Sequence, residues 1–262
     1  MIPLRDDNPT ELRPYVMVTV MAACVLTFLY QVTLPGVVEQ RFVAEFGFTP
    51  AHFFGDAGSR GLPATATLFT SMFLHGGWVH VIGNMLYLWI FGNNVEDALG
   101  HMRFAMFYVA CGLAAAIAQG YADPSSTLPM IGASGAIAGV LGAYLLLYPR
   151  AKVLVLIPLG IFSQLVRIPA LFVLGFWFLL QFVQQAMTSA VAGGQGGVAY
   201  WAHIGGFVAG AILILLMRRR GIGLFHRAQP HVSGERIEGP LYRRNSRIPD
   251  SGSGSHRRGP WA

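Results

Sequence analysis

The 262-residue chain is 54% hydrophobic and 11% charged, with a mean hydropathy of +0.52, whereas an ordinary soluble domain carries roughly 25% charged residues. Water alone is a poor solvent for such a chain, and since one bilayer crossing needs about 20 apolar residues, its length fits several crossing helices in one compact membrane domain. The net charge of +6 does not point to nucleic acid, because ten of the eighteen basic residues follow position 217, in a stretch without hydrophobic periodicity.

Residues 1–14 are polar and include Asp6, Asp7 and Glu11. The apolar run 15–34 is long enough to span. Met21, Ala22, Ala23 and Cys24 have the look of a lipoprotein cleavage site, but the acidic leader and the length of the run speak against a secretory signal. Residues 36–70 mix charges and glycines with Phe42, Phe46, Phe48, Phe53 and Phe54, a composition suited to a loop lying partly in the interface. Apolar runs follow at 74–95, 102–120, 132–148, 169–192 and 200–217, giving six candidate spans. The segment 153–166 is too short for an easy crossing and is interrupted by Pro158 and Gly160, so it reads as a loop dipping into the interface.

With six spans, the inner segments carry Arg5, Arg13, Arg103, Arg150, Lys152, Arg167 and the ten basic residues of the tail, against Arg41 and Arg60 outside. Both ends are then expected on the cytoplasmic side. The chain therefore reads as a cytoplasmic segment 1–14, a membrane domain 15–217 and a basic tail 218–262 too poor in apolar residues to fold alone. Cys24 and Cys111 sit inside apolar runs as small hydrophobes, and neither a disulfide nor a metal site follows from them.

A strongly hydrogen-bonding residue within a span costs about 3 kcal/mol on insertion scales, so each one needs a reason. Four stand out: His80, Asn84, Ser134 and His203. The second, fourth and sixth spans run in the same direction and carry these groups in their first halves, so they can meet near the outer face. Ser134 lies in Gly132-Ala133-Ser134-Gly135, with Gly139 and Gly142 continuing a small-residue face, and taken alone this reads as helix packing. His203 is followed by Gly206 and Gly210, which would bring the sixth span against a neighbour, expected to be the fourth. If those faces touch, the imidazole reaches the serine hydroxyl as a base for a nucleophile. No Asp or Glu lies in either span to orient the histidine, so a Ser-His dyad is expected rather than a triad. His80 and Asn84, four apart on one helical face, suit an oxyanion-stabilising role together with the Ser134 N–H. The bland alternative is a polar pair holding helices together. His75, near the membrane edge, has no assigned role.

In order, helix and spacing, His80-x-x-x-Asn84, Gly132-x-Ser134-Gly135 and Ala202-His203-x-x-Gly206-x-x-x-Gly210 resemble the rhomboid family, and Gly92-x-x-x-Glu96-x-x-x-Gly100 resembles a further pattern of it. The similarity covers about 15–217 and is to the bacterial type with a six-helix core. It implies an all-α integral membrane protein, a bundle of six transmembrane helices with both termini cytoplasmic, in a bacterial cell (inner) membrane. The implied activity is that of an intramembrane serine endopeptidase with Ser134 as nucleophile, His203 as general base, and His80 and Asn84 at the oxyanion. No cofactor or metal is implied, and the expected partners are transmembrane protein substrates within the bilayer. Two positions depart from the family: Ala138 stands where several members carry a tyrosine beneath the catalytic histidine, and Gln40-Arg41-Phe42 where many show a Trp-Arg pair. The alternatives are a catalytically silent rhomboid-like scaffold for membrane clients, and a transporter whose His80, Asn84 and His203 line a polar path.

Overall fold

Each of the six apolar runs forms a helix in the computed structural model, which describes residues 1–55, 61–159, 162–190 and 199–225. In chain order the helices are α1 (Tyr15–Thr33), α2 (Gly36–Phe46), α3 (Pro50–Phe54), α4 (Ala64–Thr70), α5 (Trp78–Leu99), α6 (His101–Ala122), α7 (Ser134–Leu147), α8 (Ala170–Ala190) and α9 (Tyr200–Met217). The strands are β1 (Ile2–Asp6), β2 (Lys152–Leu159) and β3 (Phe162–Pro169). Residues 191–192 of the fifth expected span, Arg60, and the tail from residue 226 lie outside the described residues.

Among the described residues, four helices are long and apolar enough to cross a bilayer: α1, α6, α8 up to Met187, and α9. The other two fall short for different reasons. α5 has 22 residues but is diluted by Asn84, Asn93, Asn94, Glu96 and Asp97. α7 has only 14 residues, about 21 Å of helix against a hydrocarbon thickness of about 30 Å. Both are shielded by their neighbours. In α7, 11 of the 14 residues are buried, as befits a helix that is apolar on every side, and it packs against α5, α6, α8 and α9. Outward-facing Leu26, Val79, Leu179 and Leu216 lie on the surrounding helices.

The region 36–70 is not a plain loop. It folds into α2, α3 and α4, and α2 buries no residue. The expected interfacial loop 153–166 is a β-hairpin of β2 and β3, running from Lys152 opposite Pro169 to Leu159 opposite Phe162. Here the period-two pattern overrides the short apolar run. Val153 and Val155 are fully buried while Lys152 is exposed, the alternation of a half-buried strand. β1 adds to the other edge of β2, antiparallel, giving the order β1-β2-β3. The leader thus forms part of a sheet, with Arg167 and Asp7 paired at 2.8 Å. The described chain is mostly helical, with this sheet as an addition.

α5 starts four residues later than its apolar run, after Gly77 at φ +150°, and continues to Leu99 because its polar end has partners. Glu96 is fully buried and accepts hydrogen bonds from the N–H groups of Val16 at 3.0 Å and Met17 at 2.8 Å. Pro14 gives α1 no side-chain cap, so Glu96 supplies one from another helix, satisfying two orphan donors at the positive end of α1. His101 Nδ1 lies 2.6 Å from the same carboxylate.

Candidate active site

Ser134 is the first residue of α7, so its N–H has no acceptor within the helix. The segment leading to it is fixed by backbone pairing: Phe48 and Met130 exchange hydrogen bonds at 3.0 and 2.7 Å, and Gly132 N–H donates to the Ser71 carbonyl at 2.9 Å. Gly132 has φ +123°, and a β-carbon there would stand 2.7 Å from the His80 ring. Only glycine meets both conditions.

The small-residue faces of α7 and α9 do touch. A β-carbon on Gly206 would collide with the Gly135 carbonyl oxygen, one on Gly210 with that of Gly139, and one on Gly142 with that of Phe207. Backbones this close bring His203 Nε2 to 2.8 Å from Ser134 Oγ. His203 is buried, and its Nδ1 lies 2.7 Å from Gln181 Oε1 on α8. The rings of Trp177 and Tyr200 flank the imidazole at 5.7 and 6.4 Å between centroids. Ala138 is fully buried and brings no ring to the site.

Gln181 and Trp177 were not among the four residues singled out from sequence. The same reasoning could have found Gln181, a buried amide inside an apolar run, because such a group needs a partner. The orienting group is an amide rather than an acid, and it lies on α8 rather than on the helix of Ser134 or of His203.

On α5, His80 Nδ1 accepts the Gly76 N–H at 3.3 Å, which leaves the proton on Nε2. Asn84 Nδ2 is buried and has no hydrogen-bond partner. It lies 3.7 Å from where a Gly132 β-carbon would stand, and His80 Nε2 lies 2.8 Å from the same point. His80, Asn84, Ser134 and His203 all line one cavity of about 1260 Å³. His75 is fully buried, its N–H bonded to Gln31 Oε1 at 3.0 Å and its ring 5.2 Å from His80.

This geometry is that of a serine hydroxyl within hydrogen-bond distance of an imidazole nitrogen, with two side-chain donors and an unpaired helix N-terminal N–H at the same space. A model of the Rhomboid domain matches residues 63–220, which takes in all four residues and more than half of the chain. The chain belongs to the rhomboid family.

Among rhomboid relatives it is 29% identical over 153 residues to "RHOMBOID-like protein 5" of Arabidopsis thaliana, covering 58% of this chain and 44% of that protein. It is 30% identical to "Rhomboid protein 1, mitochondrial" of Saccharomyces cerevisiae, covering 56% of this chain and 40% of the other. A shorter stretch of 78 residues is 44% identical to "Rhomboid protease GluP" of Bacillus subtilis, covering 30% and 15% respectively. The chain thus spans less than half the length of these relatives. With the apolar helices described above, the rhomboid domain makes this a multi-pass integral membrane protein.

Proposed function

We propose that the protein is an intramembrane serine endopeptidase that hydrolyses peptide bonds in or beside transmembrane segments of other membrane proteins. The observation that carries this reading is the 2.8 Å approach of His203 Nε2 to Ser134 Oγ at the wall of a cavity lined by spare hydrogen-bond donors. A scaffold that only binds membrane clients has no need of that pairing.

In the proposed reaction a substrate helix enters from the lipid side and unwinds locally, since a helical peptide bond is shielded by its own turn. His203 Nε2 takes the Ser134 hydroxyl proton while Oγ adds to the scissile carbonyl carbon. The resulting oxyanion is held by His80 Nε2–H, Asn84 Nδ2–H and the Ser134 N–H, at the positive end of α7. As the tetrahedral species collapses, His203 passes its proton to the leaving amine. Water then attacks the acyl-enzyme with the same histidine as base, releasing the new carboxyl end and restoring Ser134.

The membrane arrangement proposed with this activity has six spans, formed by α1, α5, α6, α7, α8 and α9. Segments 1–14 and 218–262 lie on the cytoplasmic side of the 15–217 domain, because the basic residues concentrate there. The short α7 starts at depth in this arrangement, and its neighbours shield its N-terminus from lipid. The membrane proposed with this arrangement is a bacterial cell (inner) membrane, as the resemblance of the motifs to bacterial members of the family implies.

The test compares purified wild type, Ser134→Ala and His203→Ala on a panel of single-span substrates in liposomes, with the cut mapped by mass. The expected result is cleavage in or beside the span by wild type and a loss of several orders of magnitude in both folded variants. Wild type that neither cuts nor takes up a fluorophosphonate probe on Ser134 would leave a client-binding scaffold as the function.

A further inference from the structure

A histidine acting as base must present a bare Nε2 to the serine, so the proton has to be kept on Nδ1. In a site without an orienting carboxylate, something else must do this. Gln181 sits on α8, and its side chain makes two contacts that fix one another. Its Nε2 lies 3.2 Å from the Trp177 carbonyl oxygen one turn earlier on the same helix. A carbonyl can only accept, so the NH₂ group faces Trp177 and Oε1 faces His203. Oε1 in turn can only accept, so the 2.7 Å contact to His203 requires the proton on Nδ1. That leaves Nε2 to accept from the Ser134 hydroxyl at 2.8 Å. The four groups form one directed chain: Ser134 O–H to His203 Nε2, His203 Nδ1–H to Gln181 Oε1, and Gln181 Nε2–H to the Trp177 carbonyl.

From this chain we infer that Gln181 is the positioning residue for His203, a neutral amide that selects its tautomer and ring orientation where a serine hydrolase usually employs a carboxylate. The inference rests on the proteolytic reading above for its kinetic consequences, but not for the tautomer itself. The choice of an amide fits the site. Gln181 is only 5% exposed, and an ionised carboxylate so deeply buried carries a desolvation penalty that an amide avoids. It also fits the local packing. The Trp177 ring lies 5.7 Å from the imidazole and is tilted 39° to it, so residues one turn apart on α8 hold the ring by face and by edge.

The test measures kcat and KM on a single-span substrate in liposomes for wild type, Gln181→Leu and Gln181→Glu. It is joined to ¹⁵N NMR of protein with labelled histidine rings, with His203→Ala used to assign the signal. Wild type is expected to carry the His203 proton on Nδ1. Gln181→Leu, similar in size but without an acceptor, is expected to shift the proton toward Nε2 and to lower kcat about 10- to 100-fold, with KM within about twofold of wild type. Gln181→Glu keeps an acceptor, so it should hold the proton on Nδ1, restore most of kcat, and move the acid limb of the pH-rate profile to higher pH as a negative neighbour favours the imidazolium. A wild-type proton on Nε2, or a Gln181→Leu variant unchanged in both tautomer and kcat, would overturn the inference while leaving the dyad in place. A wild type that neither cuts nor labels, yet holds the proton on Nδ1, would defeat the proteolytic reading and leave the positioning role standing.

Discussion

Gly206 stands so close to the Gly135 carbonyl that no β-carbon fits between them. Ser134 precedes Gly135 on α7, and His203 lies one turn before Gly206 on α9, so this contact sets the distance at which the imidazole meets the hydroxyl. A methyl group here must push the two helices apart, because packed interiors hold few voids that could absorb it. A displacement of about 1 Å at reacting atoms costs on the order of 100-fold in rate. Gly206→Ala is therefore expected to lower cleavage by about 100-fold, with an overpacking cost of about 1–3 kcal/mol. Cleavage in liposomes alongside thermal unfolding checks both. Full activity in a folded Gly206→Ala protein would mean that the separation is set elsewhere.

Asn84 separates function from stability. Its Nδ2 is buried without a hydrogen-bond partner, and such a group costs stability rather than adding to it. Asn84→Ala breaks no hydrogen bond at that atom, so the unfolding temperature should stay the same or rise. If the amide donates to the oxyanion, kcat should nonetheless fall by about 100-fold or more. Parallel melting curves and turnover measurements distinguish the cases: a variant that loses stability and keeps kcat would make Asn84 a structural residue.

The helices of the apolar runs and the meeting of four polar residues at one cavity were legible because each obeys a rule that can be read along the chain, such as the length of an apolar run, a four-residue spacing, or a buried group in need of a partner. The contact of α7 with α9 followed from glycines four apart, since only small residues let backbones meet. What stayed hidden depended on the partner. Residues 153–166 offered a short apolar run broken by Pro158 and Gly160, and the strand character of Lys152–Leu159 and Phe162–Pro169 rests on pairing with each other and with residues 2–6. Gln181 lies in an apolar run and on its own helix meets a backbone carbonyl, and its partner His203 appears only where α8 meets α9. The same holds for Glu96, a family pattern in sequence whose task appears only when α1 is placed beside α5.

Glu96 makes a stability prediction. Replacing it by alanine leaves the N–H groups of Val16 and Met17 without acceptors and removes the partner of His101. The expected loss is about 2–4 kcal/mol, the range for charge-assisted bonds broken with buried donors left behind. Glu96→Gln keeps one acceptor oxygen and should lose less. Both variants should retain the catalytic rate below their unfolding transitions, since twelve residues of helix, about 18 Å, separate Glu96 from Asn84. A proportionate loss of kcat in the folded state would show that the α1 end of α5 governs the site.

Asp6 gives a pH dependence of known sign. Its carboxylate accepts from the Tyr144 hydroxyl at 2.6 Å and from Asn94 Nδ2 at 2.8 Å. Burial pushes its pKa up from 3.8 to about 6, the neighbouring charge of Asp7 adding to the rise and the hydrogen bond from Tyr144 opposing it. Because the folded value lies above the unfolded one, between pH 3.8 and about 6 the folded chain keeps a proton that the unfolded chain has released. Stability must therefore fall as pH rises through that window, and the whole penalty is present above it. Asp6→Asn stays neutral and still offers Tyr144 an acceptor, so it removes this contribution. Measured in detergent, the unfolding temperature of wild type relative to Asp6→Asn should drop from pH 5 to pH 7.5, with hydrogen exchange of residues 2–6 rising in parallel. The same offset at both pH values would show that Asp6 is not the group that titrates. Since Tyr144 belongs to the helix that begins at Ser134, a drop confined to residues 2–6 would also show that the strand can loosen without disturbing α7.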